Sequence, residues 1–166
     1  MDKIDKYVKL LIKAASNHAI YLWGAQGEKV LSLSEEDIYK MENSSENAER
    51  VLRYIKTLDE CGWLTKKTKA YDCSGLVCYC LVKAGIEEPG FDMTADDLFE
   101  RYSHQNVLKY GSLLHRKGHI ATYIGNKHLI EAKGRDYGVV VSPYNYTEWD
   151  KVFADPRVAS QLGRIV

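Results

Sequence analysis

Apolar residues at Ile4, Tyr7, Val8, Leu11, Ile12 and Ala15 recur at the i, i+3, i+4, i+7 spacing that lays one stripe along a helix. The spacing predicts an amphipathic N-terminal helix packed on the core. The run AIYLWGAQG then breaks that period with aromatics and two glycines, the composition of a tight loop. In the polar stretch that follows, Ser34 and Asp37 stand at capping-box spacing ahead of one helix. Ala48, Val51, Leu52, Ile55 and Leu58 give a second helix its stripe, and Gly62 supplies its stop. Thr94 is placed to cap a short helix reaching Tyr102, after the break at Pro89 and Gly90. Beyond it the period changes. SLLHRKGHIATYIGNKHLIEAKGRDYGVVVSPY holds short runs rich in Leu, Ile, Val, Tyr and Thr, separated by Gly-Asn-Lys, Lys-Gly-Arg-Asp and Ser-Pro. This is the pattern of three or four strands in an antiparallel meander. Helices first and strands last, with no repeat or low-complexity linker between them, predict one α+β domain over residues 1–166, its N-terminal helices packed on an antiparallel sheet.

Composition agrees with one compact core: 166 residues, 45% hydrophobic and 28% charged. Lys plus Arg and Asp plus Glu number 23 each, so the net charge of zero gives no electrostatic reason to expect nucleic acid or an acidic membrane as partner. Charges recur every few positions in MDKIDKYVKLLIKAASNH, which excludes the unbroken apolar segment of a signal peptide or a membrane span there. The expectation is a chain synthesised in the cytoplasm. Four cysteines are too few for a disulfide scaffold, and three of them fall on one predicted helix, so free thiols are expected. Cys73, Cys78 and Cys80 cannot all point at one ion from a single helix, and no cofactor or metal is implied.

The string KAYDCSGLVCYCLVKAGI carries the chemistry. With Asp72 as N-cap, Cys73 becomes the first residue of a helix whose stripe is Leu76, Val77, Cys80, Leu81 and Ala84 and whose stop is Gly85. A cysteine at a helix start is most often a small buried residue. Here its neighbours are small and polar, whereas those of Cys78 and Cys80 are not; these two, with Cys61, read as packing or surface thiols. The free N–H groups and positive dipole end of the helix would lower the Cys73 thiol pKa and stabilise an oxyanion, with Asp72 opposing the first effect. A cationic partner is then needed, and five histidines compete: His18, His104, His115, His119 and His128.

YLWGAQG, YDCSGLVCYCLVKAGI and GSLLHRKGHIATYIGNKHLIEA, in that order, resemble the motifs of the NlpC/P60 family, papain-like cysteine peptidases that cut peptidoglycan stem peptides. The resemblance implies Cys73 as nucleophile, His119 as base and Glu131 as the residue orienting the base. It places Tyr21 beside the nucleophile and gives Asp72 and Ser74 to the substrate's peptide amine. Glu131 departs from the usual His, Asn or Gln and would accept the Nδ1–H bond of His119. Lys109 to Ser112, KYGS, replaces the usual Pro-Gly-Asp, and a helical insert at about 28–69 exceeds the common spacing. The implied partner is a peptidoglycan stem peptide, cut at the bond from the D-glutamate γ-carboxyl to the diamino acid. A phage lysin, a wall-recycling enzyme or a chain shorn of its leader would each suit the N-terminus. Another papain-like amidase or acyltransferase, or a non-catalytic cell-wall-binding module, are the alternatives. His119 and Glu131 lie on runs joined by Gly-Asn-Lys. They share a face only if the hairpin has a three-residue loop or one bulge near Gly125, and the odd loop is expected.

Overall fold

In the computed structural model, which describes residues 1–160, the first helix, α1 (Lys3–Ser16), buries Ile4, Tyr7, Val8, Leu11 and Ala14. Ile12, expected in the stripe, is exposed instead. At about 100° per residue it stands on the flank of an arc centred near Tyr7 and Leu11, while Ala14 falls within it. The Tyr7 hydroxyl meets Thr122 Oγ1 at 2.6 Å in the core, which ties α1 to the sheet.

The predicted loop after α1 contains two short strands. β1 (Ile20–Tyr21) runs parallel to β3 (Lys69–Tyr71), and β2 (Gln26–Lys29) pairs antiparallel with the other side of β3. Strands of two to four residues are too short to show a period in sequence, which is why the aromatics and glycines read as a loop. Between β2 and β3 lie a 3-10 turn (Val30–Ser32), α2 (Glu35–Met41) and α3 (Ser45–Glu60). Ser34 and Asp37 form the reciprocal capping box at α2, and Ser44 caps α3 by accepting the Asn47 N–H. Ala48, Val51 and Leu58 of α3 and Ile38 of α2 bury against Ile20, Leu22, Ala25 and Ala70, so the insert shares one apolar cluster with the small sheet.

α4 (Cys73–Lys83) is buried on most of its surface and, with α1, packs against the large sheet. α5 (Ala95–Arg101) is capped by Thr94, as its spacing predicts. The large sheet has the order β4-β9-β5-β6-β7-β8, every described pairing antiparallel. Its meander is β5 (Leu113–Arg116), β6 (His119–Gly125), β7 (His128–Gly134) and β8 (Gly138–Pro143), four strands where three or four are predicted. β4 (Tyr102–Gln105) and β9 (Phe153–Ala159) are additions that the sequence pattern does not reveal. Pro156 hides β9. It fits because the β4–β9 register slips between Tyr102 and Ser103, and β9 meets β5 at Leu113↔Ala154, before the proline. Residues 161–166, the end of the expected single domain, lie outside the described residues.

Candidate active site

Asp72 is the N-cap of α4, and its carboxylate accepts the Gly75 N–H at 2.6 Å and the Gly24 N–H at 2.9 Å. One side chain thus fixes both the helix start and the turn after β1. Gly75 is required there, since a Cβ would stand 2.1 Å from the Ala25 carbonyl oxygen, and that carbonyl accepts the Asp72 N–H. The Asp-Cys-Ser-Gly string is therefore a packing solution as well as a chemical one. Ser74 donates its hydroxyl to Asp72 at 3.3 Å. Burial raises the Asp72 carboxyl, and the N–H groups of Gly75 and Gly24 oppose that rise.

Cys73 is half-buried at the first position of α4, and its Sγ–H donates to the Gly118 carbonyl at 3.8 Å. Its thiol pKa is raised, not lowered as the helix-terminus argument expects. Burial is the largest cause and the Asp72 charge adds to it; the N–H groups of Ile120, Ser74 and Cys73 itself pull the other way and lose. Sγ lies against the backbone of Gly118 and Ile120, the two residues that flank His119. Cys78 and Cys80 sit in the core and Cys61 on the surface.

His119 opens β6, and its Nε2 is 2.8 Å from Glu131 Oε2 on β7. In the triad that the resemblance implies, this bond belongs to Nδ1. The imidazole instead reaches Glu131 with its far nitrogen, leaving Nδ1 for another partner. The hairpin register explains why both side chains share a face. Asn126 and Lys127 take φ of 49° and 58° in a two-residue turn with Gly125 opposite His128, and a bulge between Tyr123 and Gly125 then sets Tyr123 opposite Leu129. The bulge, rather than the three-residue loop, restores the even register. Glu131 is buried and also accepts the Ser142 hydroxyl at 3.1 Å. Burial pushes its carboxyl up, but the His119 bond and charge, with Ser142 and Arg116, outweigh it and hold it below its ordinary value.

Tyr21, at the end of β1, carries a hydroxyl pushed up to about 12 by burial first and by the Cys73 and Asp72 charges next. It keeps its proton and can donate. The Arg135 guanidinium lies 5.1 Å from its ring centre.

Two residues that sequence reasoning missed complete the surroundings. Trp149 is buried and stacks on His119 with centroids 5.6 Å apart, while Arg116 stands 4.9 Å over its ring. Its indole N–H is the one buried side-chain donor without a partner among the described residues. Glu42, at the C-cap of α2, has a fully buried side chain; one oxygen accepts the Trp23 N–H at 3.0 Å and the other holds Arg135 at 2.7 Å. An acid at the negative end of a helix was the available signal for Glu42. For Trp149 it was the largest of three aromatics in the otherwise polar run YNYTEWDK. The insert thus reaches the wall of the site through Glu42, Arg135 and Tyr21.

The NlpC/P60 family model matches residues 60–158, more than half of the chain. The chain belongs to the NlpC/P60 family. Members of this family are in general cysteine peptidases of the peptidoglycan-hydrolase class, and some are non-catalytic. Among solved structures the chain is similar to the peptidoglycan hydrolase RipB of Mycobacterium tuberculosis, with a TM-score of 0.61, 20% identity and 93% of this chain covered. The alignment spans 64% of the RipB chain. It is also similar to the P60 domain of an M. avium subspecies paratuberculosis antigen, with a TM-score of 0.56 and 20% identity over 93% of this chain and 94% of the other. RipD of M. tuberculosis, described as a non-catalytic NlpC/P60 domain protein adapted to peptidoglycan binding, aligns with a TM-score of 0.58 and 15% identity over 93% of this chain and 97% of its own. At these identities the likeness is one of fold. No curated protein matches the sequence.

Proposed function

We propose that the protein is a cysteine endopeptidase that hydrolyses the peptide stem of peptidoglycan at the bond joining the D-glutamate γ-carboxyl to the diamino acid. The observation that carries this reading is the His119–Glu131 pair at 2.8 Å, with His119 flanked in the chain by Gly118 and Ile120, whose backbone groups lie against the Cys73 sulfur. A binding module with RipD's non-catalytic character would need neither the thiol nor an oriented imidazole.

His119, freed at Nδ1 and oriented by Glu131, takes the Cys73 proton, and the thiolate attacks the peptide carbonyl to form an acyl-enzyme. The raised thiol pKa makes the nucleophile conditional on this transfer: the neutral thiol is the resting form, and the imidazolium with the buried Glu131 carboxylate compensates the thiolate. The Cys73 N–H at the helix start and the Tyr21 hydroxyl are the donors for the oxyanion. His119 then gives its proton to the leaving amine and activates the water that releases the acid product. Asp72 and Ser74 face the substrate's free amine, with Asp72 already committed to the N–H groups of Gly24 and Gly75. Access to the wall would come by release through a pore, from a phage particle or during cytoplasmic recycling.

The test is digestion of purified cell wall with mass analysis of the soluble fragments. A cut stem peptide is expected. Freed glycan chains with intact stems would indicate an amidase, and binding without any product would indicate a non-catalytic module.

A further inference from the structure

We propose that His115 is a positioning residue for the His119–Cys73 centre, a doubly hydrogen-bonded clasp that must carry both ring protons to hold the two segments packed around His119; this rests on the peptidase reading above. His115 lies on β5, four residues before His119, and its side chain is nearly buried. Its Nδ1 is 2.8 Å from Asp150 Oδ2 and its Nε2 is 2.7 Å from Asp96 Oδ1. A carboxylate only accepts, so both bonds exist together only when both ring nitrogens bear hydrogen, that is, in the imidazolium.

Each carboxylate continues toward the candidate active site. Asp96 also accepts the Gly118 N–H at 3.0 Å, which ties down the turn whose Gly118 carbonyl receives the Cys73 S–H and whose next residue is His119. Asp150 donates its own N–H to the His115 carbonyl at 2.8 Å and follows Trp149, the ring stacked on His119. The imidazole of His119 is therefore held from two sides, by the Gly118 turn and by Trp149, and both supports converge on His115.

The surroundings of His115 fit that role. Phe99 of α5 covers the ring, with centroids 4.5 Å apart, and on β6 the opposite residue is the apolar Ile120. His104 stacks on the same Phe99, Lys117 lies beside Asp96 in the turn, and Arg116 is engaged with Trp149. Two carboxylates thus face the ring directly, and the nearby cations act on those carboxylates or on Trp149. When His115 loses its proton, one of the two bonds becomes a contact between two lone pairs, and one of the supports is released.

In ¹⁵N spectra of the wild-type protein under the conditions of the activity assay, both ring nitrogens of His115 should bear hydrogen, one bonded to Asp150 and one to Asp96. A neutral His115 ring there would overturn the proposal without touching the peptidase reading. His115→Gln, whose amide offers donors on one side and an acceptor oxygen on the other, should slow iodoacetamide labelling of Cys73 about tenfold while Cys61 labels at the wild-type rate, and should lower kcat by a similar factor with KM nearly unchanged. His115→Arg, which keeps donors for both carboxylates, should recover part of that loss. Labelling of Cys73 at the wild-type rate in His115→Gln would also overturn the proposal. If that variant does not fold, Asp150→Ala, which releases the Trp149 side alone, carries the same expectation. Failure of the peptidase reading looks different: the wild-type protein would then leave the wall uncut, whatever the protonation of the His115 ring.

Discussion

Replacing Glu131 tests the geometry of the candidate active site most directly. In Glu131→Ala the His119 Nε2 and the Ser142 hydroxyl both lose a buried acceptor, at 2.8 and 3.1 Å. A hydrogen bond to a charged group is worth about 1.5–3 kcal/mol, and about 1.4 kcal/mol is tenfold in rate, so kcat should fall by roughly 10- to 100-fold. Glu131→Gln keeps an oxygen that can accept from Nε2 and loses the charge that favours the imidazolium, so its loss should stay within about tenfold. The assay is release of soluble peptide from purified cell wall, with thermal melting of each variant as the folding control. Stability gives a second reading. The Glu131 carboxyl is held below its ordinary value, so its contribution is fully present above about pH 4.3, the unfolded value, and is lost as pH falls through the lower folded one. Glu131→Gln should remove that part of the acid sensitivity. Equal activity of the Gln and Ala variants would refute the orienting role and leave Cys73 and His119 to act as a pair.

Cys73→Ser should abolish wall digestion with little change in melting temperature, because the volumes are close and the position is half-buried; residual peptide release would point to another nucleophile. In wild-type protein iodoacetamide should label Cys73 and the exposed Cys61 while sparing Cys78, whose thiol burial pushes up to about 12, and the core Cys80; even labelling of all four, followed by mass analysis, would contradict the buried packing of α4. Gly75→Ala should destabilise strongly, since its Cβ would sit 2.1 Å from the Ala25 oxygen that α4 and β3 depend on, and a melting point near wild type would show that this approach can relax. Glu42→Ala strands Arg135 beside Tyr21 and frees the Trp23 N–H; breaking such a buried pair costs about 3 kcal/mol, read as a shifted denaturation midpoint.

Residues a few positions apart in the chain determined much of this protein by themselves. The stripes of α1, α3 and α4, the caps at Ser34, Asp72 and Thr94 and the switch to a strand period after Ser112 are all interactions within one or two turns of chain, and they are visible without a fold. The position of Cys73 at a helix start belongs to the same class. His119 could be singled out by its motif, and its company with Glu131 could be reduced to a question of register parity.

The tertiary structure decided what depends on distant partners. Whether Ile12 or Ala14 faces inward follows from where the sheet lies, and the shared face of His119 and Glu131 is set by a bulge between Tyr123 and Gly125 that adds one unpaired residue to β6. The direction of the Cys73 pKa turned on how much solvent the packed neighbours leave at the helix start. Burial and Asp72 outweigh the backbone N–H groups there, a balance that helix position alone cannot settle. Trp149, Glu42 and the two carboxylates on His115 come from the end of the sheet, the insert and α5. No local period or cap marks such residues, because their roles arise only when segments far apart in the chain are packed to within a few ångströms.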